Sequence, residues 1–176
     1  EGEVARELGQ DVDPDAIHTA RLALRSALGT ALEEDFLEAY TEQAAHSAFK
    51  PDAASAGRRA LRNLSLDYLA ANGAHEGIAR AAAQFNVADN MTDRFAALSV
   101  LSQHDVPQRE SVLTSFYDQF QNDALVVDKW FTLQAMIAAP DTLDRVKALM
   151  AHPAFSLGNP NRVRALIGAF AHSNPT

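Results

Sequence analysis

The sequence predicts an all-α fold, an irregular armadillo- or HEAT-like superhelix of paired antiparallel helices. Apolar residues recur at helical spacing nearly everywhere, and no stretch shows the sustained alternation that is typical of a half-buried strand. Alternate helix starts fall near residues 53, 92, 124 and 160, at intervals of 39, 32 and 36 residues. Helix pairs in repeat arrays have comparable periods. No residue signature recurs with them, so the stack is expected to be irregular.

Two helices are predicted in the first 50 residues. The first begins at Asp13-Pro14, because aspartate is a good N-cap and proline is tolerated in the first turn, and it is expected to end at Gly29. Thr30-Ala31-Leu32-Glu33 fits a capping box for the second helix. The alternative is one long helix that tolerates Gly29 as a break. We favour two helices.

The rest of the chain is divided by turn and cap residues into shorter helices. A third helix begins near Asp52 and continues to Asn72-Gly73, a pair suited to the left-handed residue that closes a helix. Pro107 and Pro160 fall at predicted first turns. The six further helices are predicted over residues 75–85, 92–103, 107–120, 124–138, 142–151 and 160–171.

Length and composition predict one globular helical domain over residues 1–176. A chain of 176 residues with 47% hydrophobic side chains can bury about 70% of its unfolded surface, without disulfides or a structural metal. The absence of cysteine excludes disulfide scaffolds, thiolate zinc sites, iron–sulfur clusters and cysteine nucleophiles. The chain lacks an initiator methionine and ends without a closing helix, so we expect a fragment of a longer polypeptide.

The net charge of −8 argues against nucleic acid as a partner, because that affinity depends on clustered lysine and arginine. The surplus is local: residues 1–50 hold 11 acidic and 4 basic side chains, whereas residues 51–176 hold 12 and 11. No apolar run is long enough for a bilayer span, and the acidic N-terminus does not resemble a signal peptide. No membrane partner is therefore expected.

No catalytic or metal-binding motif is present. His75-Glu76 begins the H-E-x-x-H pattern of helical zinc sites, but Ala79 occupies the second ligand position. The other histidines, at positions 18, 46, 104, 152 and 172, stand singly. Phosphate-binding glycine loops and a G-x-S-x-G elbow are also missing. We therefore predict no metal ligand and no catalytic residue in this chain.

Three segments are less easily explained by structure alone. Asn86–Asp93 concentrates turn and cap residues. Leu125–Phe131 places Asp128 and Lys129 among apolar neighbours that include the only tryptophan, and we expect these two charges to reach solvent or to pair with each other. In Asn159-Pro160-Asn161-Arg162-Val163-Arg164, two arginines follow a capped helix start. Arginine binds carboxylates in a bidentate manner, so Arg162 and Arg164 could receive a peptide terminus or a partner's acidic group. Pairing with this chain's own acidic residues is the favoured interpretation.

These segments carry a resemblance to a known family. Asp89-Asn90-Met91-Thr92-Asp93, then Leu125-Val126-Val127-Asp128-Lys129-Trp130-Phe131, then Asn159 to Phe170 resemble, in this order, the C-terminal region of bacterial-type aminopeptidase N. These alanyl aminopeptidases belong to the gluzincin zinc metallopeptidases. The similarity extends to Arg58–Asn63 and to Tyr68-Leu69-Ala70, and it is loosest in the acidic first 50 residues.

The resemblance implies a non-catalytic C-terminal domain of a cytoplasmic enzyme that removes N-terminal residues from peptides. Zinc would be bound by a catalytic domain of the same polypeptide, and the helical domain would cover its chamber and limit access for peptide substrates. Arg162 and Arg164 are then the candidates to face the chamber. Pocket residues that some family members carry further along the domain would lie beyond Thr176. The alternative is a free-standing helical-repeat scaffold for another protein.

Overall fold

The computed structural model describes residues 1–44 and 49–175, and over these ranges the chain is helical without a β-strand. The final helix is continuous, because a π-helical turn, Arg164–Gly168, joins Pro160–Val163 to Ala169–Ser173. The helices are α1 (Gly2–Leu8), α2 (Pro14–Ala31), α3 (Glu33–Glu42), α4 (Ala53–Leu69), α5 (His75–Val87), α6 (Met91–Gln103), α7 (Arg109–Phe120), α8 (Ala124–Ala135), α9 (Thr142–Met150), α10 (Pro160–Val163) and α11 (Ala169–Ser173). None of the described helices is long and apolar enough to cross a bilayer.

The chain divides into two compact units, Glu1–His104 and Asp105–Thr176. The single domain expected over 1–176 stays a prediction. In the first unit α3 packs on α4 and α5 packs on α6, while α4 also contacts α2, α5 and α6. Leu66 of α4 and both Leu98 and Leu101 of α6 are fully buried and belong to the core of this unit. Tyr68 of α4 also stacks on Phe36 of α3, with ring centroids 4.7 Å apart.

The core of the second unit is built around α8. This helix contacts α7, α9 and the final helix, and it contributes the fully buried Phe131. Trp130 Nε1 donates a hydrogen bond of 2.9 Å to the carbonyl oxygen of Leu113 in α7. After α11, the Asn174 side-chain amide donates to the carbonyl oxygens of Ala135 and Ile137, 2.8 and 3.0 Å away. Ala135 is the last residue of α8, so its carbonyl has no intrahelical partner, whereas the Ile137 carbonyl also accepts a hydrogen bond of 2.7 Å from Thr142 Oγ1.

The predicted helix starts are confirmed where a cap residue marks them. α4, α6, α8 and α10 begin at Ala53, Met91, Ala124 and Pro160, within one residue of the predicted positions. Their N-caps Asp52, Asn90, Asp123 and Asn159 each accept a backbone N–H bond. Gly73 also has the predicted left-handed conformation, with φ 71°, although α4 ends four residues earlier.

Gly29 was predicted wrongly as a helix end. It is a buried residue inside α2, and the junction between α2 and α3 falls at Leu32, which makes no side-chain capping bond. The capping box at Thr30 is therefore not formed, although two helices are present. The glycine is needed for packing: a Cβ at position 29 would lie 2.4 Å from the carbonyl oxygen of Tyr68 in α4.

No sequence pattern predicted α1. Its N-cap Glu1 makes no side-chain capping bond, and none of its residues is buried, so neither a cap nor a core stripe marked it.

Candidate functional site

The two predicted site residues have different environments, although they are two positions apart. Arg162 is a residue of α10 in the second unit, and it is 8% exposed. Its Nε donates to the carbonyl oxygen of Ala154 at 3.0 Å, and its Nη1 donates to that of Ala124 at 2.9 Å. Nη1 also pairs with the carboxylate of Asp128.

The contacts of Arg162 join three parts of the second unit. Asp128 and Ala124 belong to α8, Ala154 lies in the segment between α9 and α10, and Arg162 belongs to α10. The guanidinium carbon also lies 5.7 Å from the centroid of the Phe131 ring, within range of a cation–π interaction. These contacts correspond to the interpretation in which the arginine pairs with the chain's own acidic residues.

Arg164 is exposed on the first turn of the π-helical segment. Its Nη1 makes a long hydrogen bond of 3.5 Å with Oδ1 of Asn161. A bond of this length to a neutral amide leaves the guanidinium charge accessible to solvent. Of the two candidates, Arg164 is therefore the one whose charge can reach a carboxylate from outside the chain.

An aromatic cluster surrounds His152, which the sequence analysis treated as a single isolated histidine. Its ring lies 4.7 Å from the ring centroid of Tyr117 and 5.3 Å from that of Trp130. Burial in this cluster lowers the pKa of His152. The Nδ1 atom accepts a hydrogen bond of 3.1 Å from the backbone N–H of Ala154, which requires an unprotonated Nδ1. The segment around Ala154 is thus held both by His152 and by Arg162.

A buried polar network in the first unit centres on Asp93, which is 5% exposed at the start of α6. Its carboxylate accepts hydrogen bonds of 2.9 Å from the side chains of Asn63 and Asn90. Gln84 donates to the side-chain oxygen of Asn63 and to the backbone carbonyl of Asp93, at 2.7 and 2.9 Å. The network joins α4, α5 and α6.

The side chains of the described residues do not group into a zinc site. Within 1–44 and 49–175, no three His, Asp or Glu side chains come together with the geometry of a metal centre. Glu76, next to His75, forms an ion pair of 3.4 Å with Arg80 one turn later. His46 lies outside the described residues.

A family model described as "Domain of unknown function (DUF3458_C) ARM repeats" matches residues 1–176. The chain belongs to this family of ARM-repeat domains. The match agrees with the armadillo-like, all-helical class that the helix spacing predicted.

Curated relatives of this ARM-repeat domain include three aminopeptidases N. The Caulobacter vibrioides protein is 42% identical over 164 residues, which are 93% of this chain and 19% of the relative. The Escherichia coli protein is 39% identical over 169 residues, 96% of this chain and 19% of its own length. The Haemophilus influenzae protein is 37% identical over 163 residues, which are 93% of this chain and 18% of the relative.

A solved structure shares the fold of the domain. The crystal structure of Legionella pneumophila aminopeptidase A in complex with aspartic acid superposes with a TM-score of 0.82 and 30% sequence identity. The superposition covers 94% of this chain and 20% of that protein. The matches confirm the resemblance to the C-terminal domain of aminopeptidase N, and the chain spans about a fifth of the length of the curated relatives.

The segments that form the polar clusters around Asp93 and Arg162 were recognisable in the sequence, but their contacts were not. Asn90 and Asp93 were interpreted as turn and cap residues, yet Asp93 also receives Asn63 from the string Arg58–Asn63. Asp128 was treated together with Lys129, whereas its partner Arg162 lies 34 residues later. The family resemblance offered a signal for these contacts. Four of the strings that carry it supply the partners, since Asn63 pairs with Asp93 and Asp128 pairs with Arg162.

Proposed function

We propose that this chain is a non-catalytic helical domain of an aminopeptidase that removes N-terminal residues from peptides. In this proposal it packs against the catalytic domain of the same polypeptide, covers the active-site chamber and limits the access of peptide substrates. The observation that carries the proposal is the alignment of 93–96% of the chain with one segment of three aminopeptidases N.

Zinc belongs to the parent enzyme in this proposal, and the catalytic domain binds it. The described residues of the chain offer no ligand cluster, so no chemical step is assigned to them. We also place the parent enzyme in the cytoplasm, which cell fractionation can test.

The two arginines have different roles in this proposal, because one is exposed and the other is buried. Arg164, with its exposed charge, attracts the carboxylates of peptide substrates. Arg162 does not contact substrate but fixes the start of α10, and so the position of Arg164, through Asp128 and two backbone carbonyls.

The substitution Arg164→Ala in the parent enzyme tests the chamber role. Loss of one hydrogen bond to a charged group is expected to raise KM for acidic peptides about tenfold, with a smaller change for neutral alanyl substrates. Lys147→Ala is the matched control, because Lys147 is also exposed and cationic in the second unit. Unchanged kcat and KM for acidic peptides in the Arg164→Ala variant would contradict the role of this residue.

A further inference from the structure

An apolar groove lies along α1 and α2 at the start of the chain. Its volume is about 550 Å³, and its apolar lining includes Val4 and Leu8 of α1 and Ile17 and Leu24 of α2. Leu8 is 59% exposed and Leu24 is 61% exposed. Leucines that are isolated on a surface need no explanation, but a groove of several such residues is typical of an interaction site.

The groove is held open by polar contacts at one end of α1. The Glu1 carboxylate lies 3.0 Å from His18 Nδ1 and 3.2 Å from Arg21 Nη1, both on α2. These contacts fix α1 against α2, although α1 buries none of its own residues. A partner would therefore find the groove formed before it binds.

The charges around the groove favour a cationic partner. Asp11 and Asp13 lie in its lining, and Arg21, the basic residue that lines it within the described part of the chain, is already paired with Glu1. The described residues 1–44 contain 11 acidic and 3 basic side chains. A second copy of this chain would bring the same acidic surface to the contact, so like-charge repulsion opposes self-association here.

The repeat architecture indicates where such a partner comes from. Each repeat of a helical-repeat array buries its apolar face against the neighbouring repeat. In the curated relatives the matched segment is 18–19% of the length, so most of each polypeptide lies outside it.

We propose that the groove binds an amphipathic helix of the parent polypeptide from outside these 176 residues. The apolar side chains of that helix fill the space between Val4, Leu8 and Leu24, and its lysine or arginine side chains lie near Asp11 and Asp13. The inference rests on the proposed function only in taking the chain to be part of a longer polypeptide.

The first experiment tests the chemistry of the occupant on the chain alone. Because the chain has no cysteine, Leu24→Cys can be labelled uniquely with an environment-sensitive dye. Leu22→Cys is the matched control, since Leu22 is on the same helix and 45% exposed but does not line the groove. The probes are an amphipathic leucine–lysine peptide and its leucine–glutamate counterpart.

A saturable blue shift is expected for the Leu24 label with the leucine–lysine peptide, weakened by salt and absent with the glutamate peptide. An equal response to both peptides, or at both label positions, would overturn the assignment of a cationic helix.

The second experiment tests the source of the helix by maleimide labelling of Leu24→Cys in the parent enzyme. The rate is expected to be roughly tenfold or more below that of the chain alone, since labelling then waits for local opening. In denaturant the two rates should converge. Equal rates under native conditions, or protection that disappears as a dimer dissociates, would overturn the proposal. Peptidase activity of the same variant reports separately on the proposed function.

Discussion

At Arg162 a guanidinium is withdrawn from water and surrounded by two backbone carbonyls, a carboxylate and an aromatic ring. Desolvation of such a charge is costly, and its partners offset that cost only while all of them are present. Asp128 is the one partner with a formal negative charge, and 20% of its side chain is exposed. Removing it would leave an uncompensated, nearly buried cation.

The substitution Asp128→Asn is therefore expected to reduce the free energy of unfolding by about 3 kcal/mol. Urea titration followed by circular dichroism measures this change. Asp144→Asn is the control, because the Asp144–Lys147 pair is exposed on both sides and is expected to contribute less than about 0.5 kcal/mol. Equal effects of the two substitutions would contradict the assigned importance of the buried pair.

A second prediction at this scale concerns pH and His152. Burial lowers the pKa of His152 in the folded state below its ordinary value of 6.5. The neutral ring is thus favoured by folding. Its stabilisation is fully present above pH 6.5 and is lost as the pH falls through the lowered folded pKa. Protonation would also remove the acceptor for the N–H of Ala154.

Stability between pH 7.5 and 5 is expected to decrease more steeply in the wild-type chain than in a His152→Gln variant. Chemical denaturation at a series of pH values measures the two curves. Their difference isolates His152 from the carboxylates, which titrate in both proteins. Parallel curves would show that His152 does not couple protonation to folding.

Single residues were the least predictable level of this structure. The composition of the Asn159–Arg164 string identified Arg162 and Arg164 as special, but it could not distinguish a buried arginine from an exposed one. That distinction depends on Asp128, 34 residues away in sequence. Asp93 is buried for the same kind of reason, because Asn63 reaches it from another helix.

At the level of helices, the starts that a capping side chain marks were predictable, and several ends were not. A helix start is marked by local chemistry, as in the Asp52 and Asn159 caps, which satisfy free N–H groups. An end depends more on what the helix packs against. α2 passes through Gly29 because α4 requires a close approach there, and that requirement is not visible in the local sequence.

The Gly29 contact gives a prediction at this level. Gly29→Ala would place a methyl group against the carbonyl oxygen of Tyr68, 2.4 Å away, and is expected to destabilise the chain by about 1–3 kcal/mol. Gly57→Ala is the matched control: Gly57 also lies inside a helix, but nothing lies within 4 Å of its added Cβ. It is expected to stabilise by about 0.5–1 kcal/mol, since alanine is the better helix former.

Thermal unfolding of the two variants compares the effects directly. A stabilising Gly29→Ala substitution would contradict the close approach of α2 and α4.

For the whole molecule, spacing and resemblance together predicted the class of fold, and the family match supports it. Helix pairs at intervals of 32–39 residues indicated a repeat array. The function could not be obtained from residue chemistry, since no catalytic motif is present in the sequence. In the function proposed above it depends instead on how the domain serves a longer polypeptide, and the exposed groove of α1 and α2 and the charge of Arg164 are the two surface features on which the proposals are built.

The most direct test of this account compares the purified chain with the parent enzyme for bound zinc and for turnover of alanyl-p-nitroanilide. The account predicts stoichiometric zinc and turnover in the parent, and neither in the chain, with or without added zinc. Zinc-dependent turnover by the chain alone would contradict it, because a catalytic site would then have to form from histidines and carboxylates that we assign to structure.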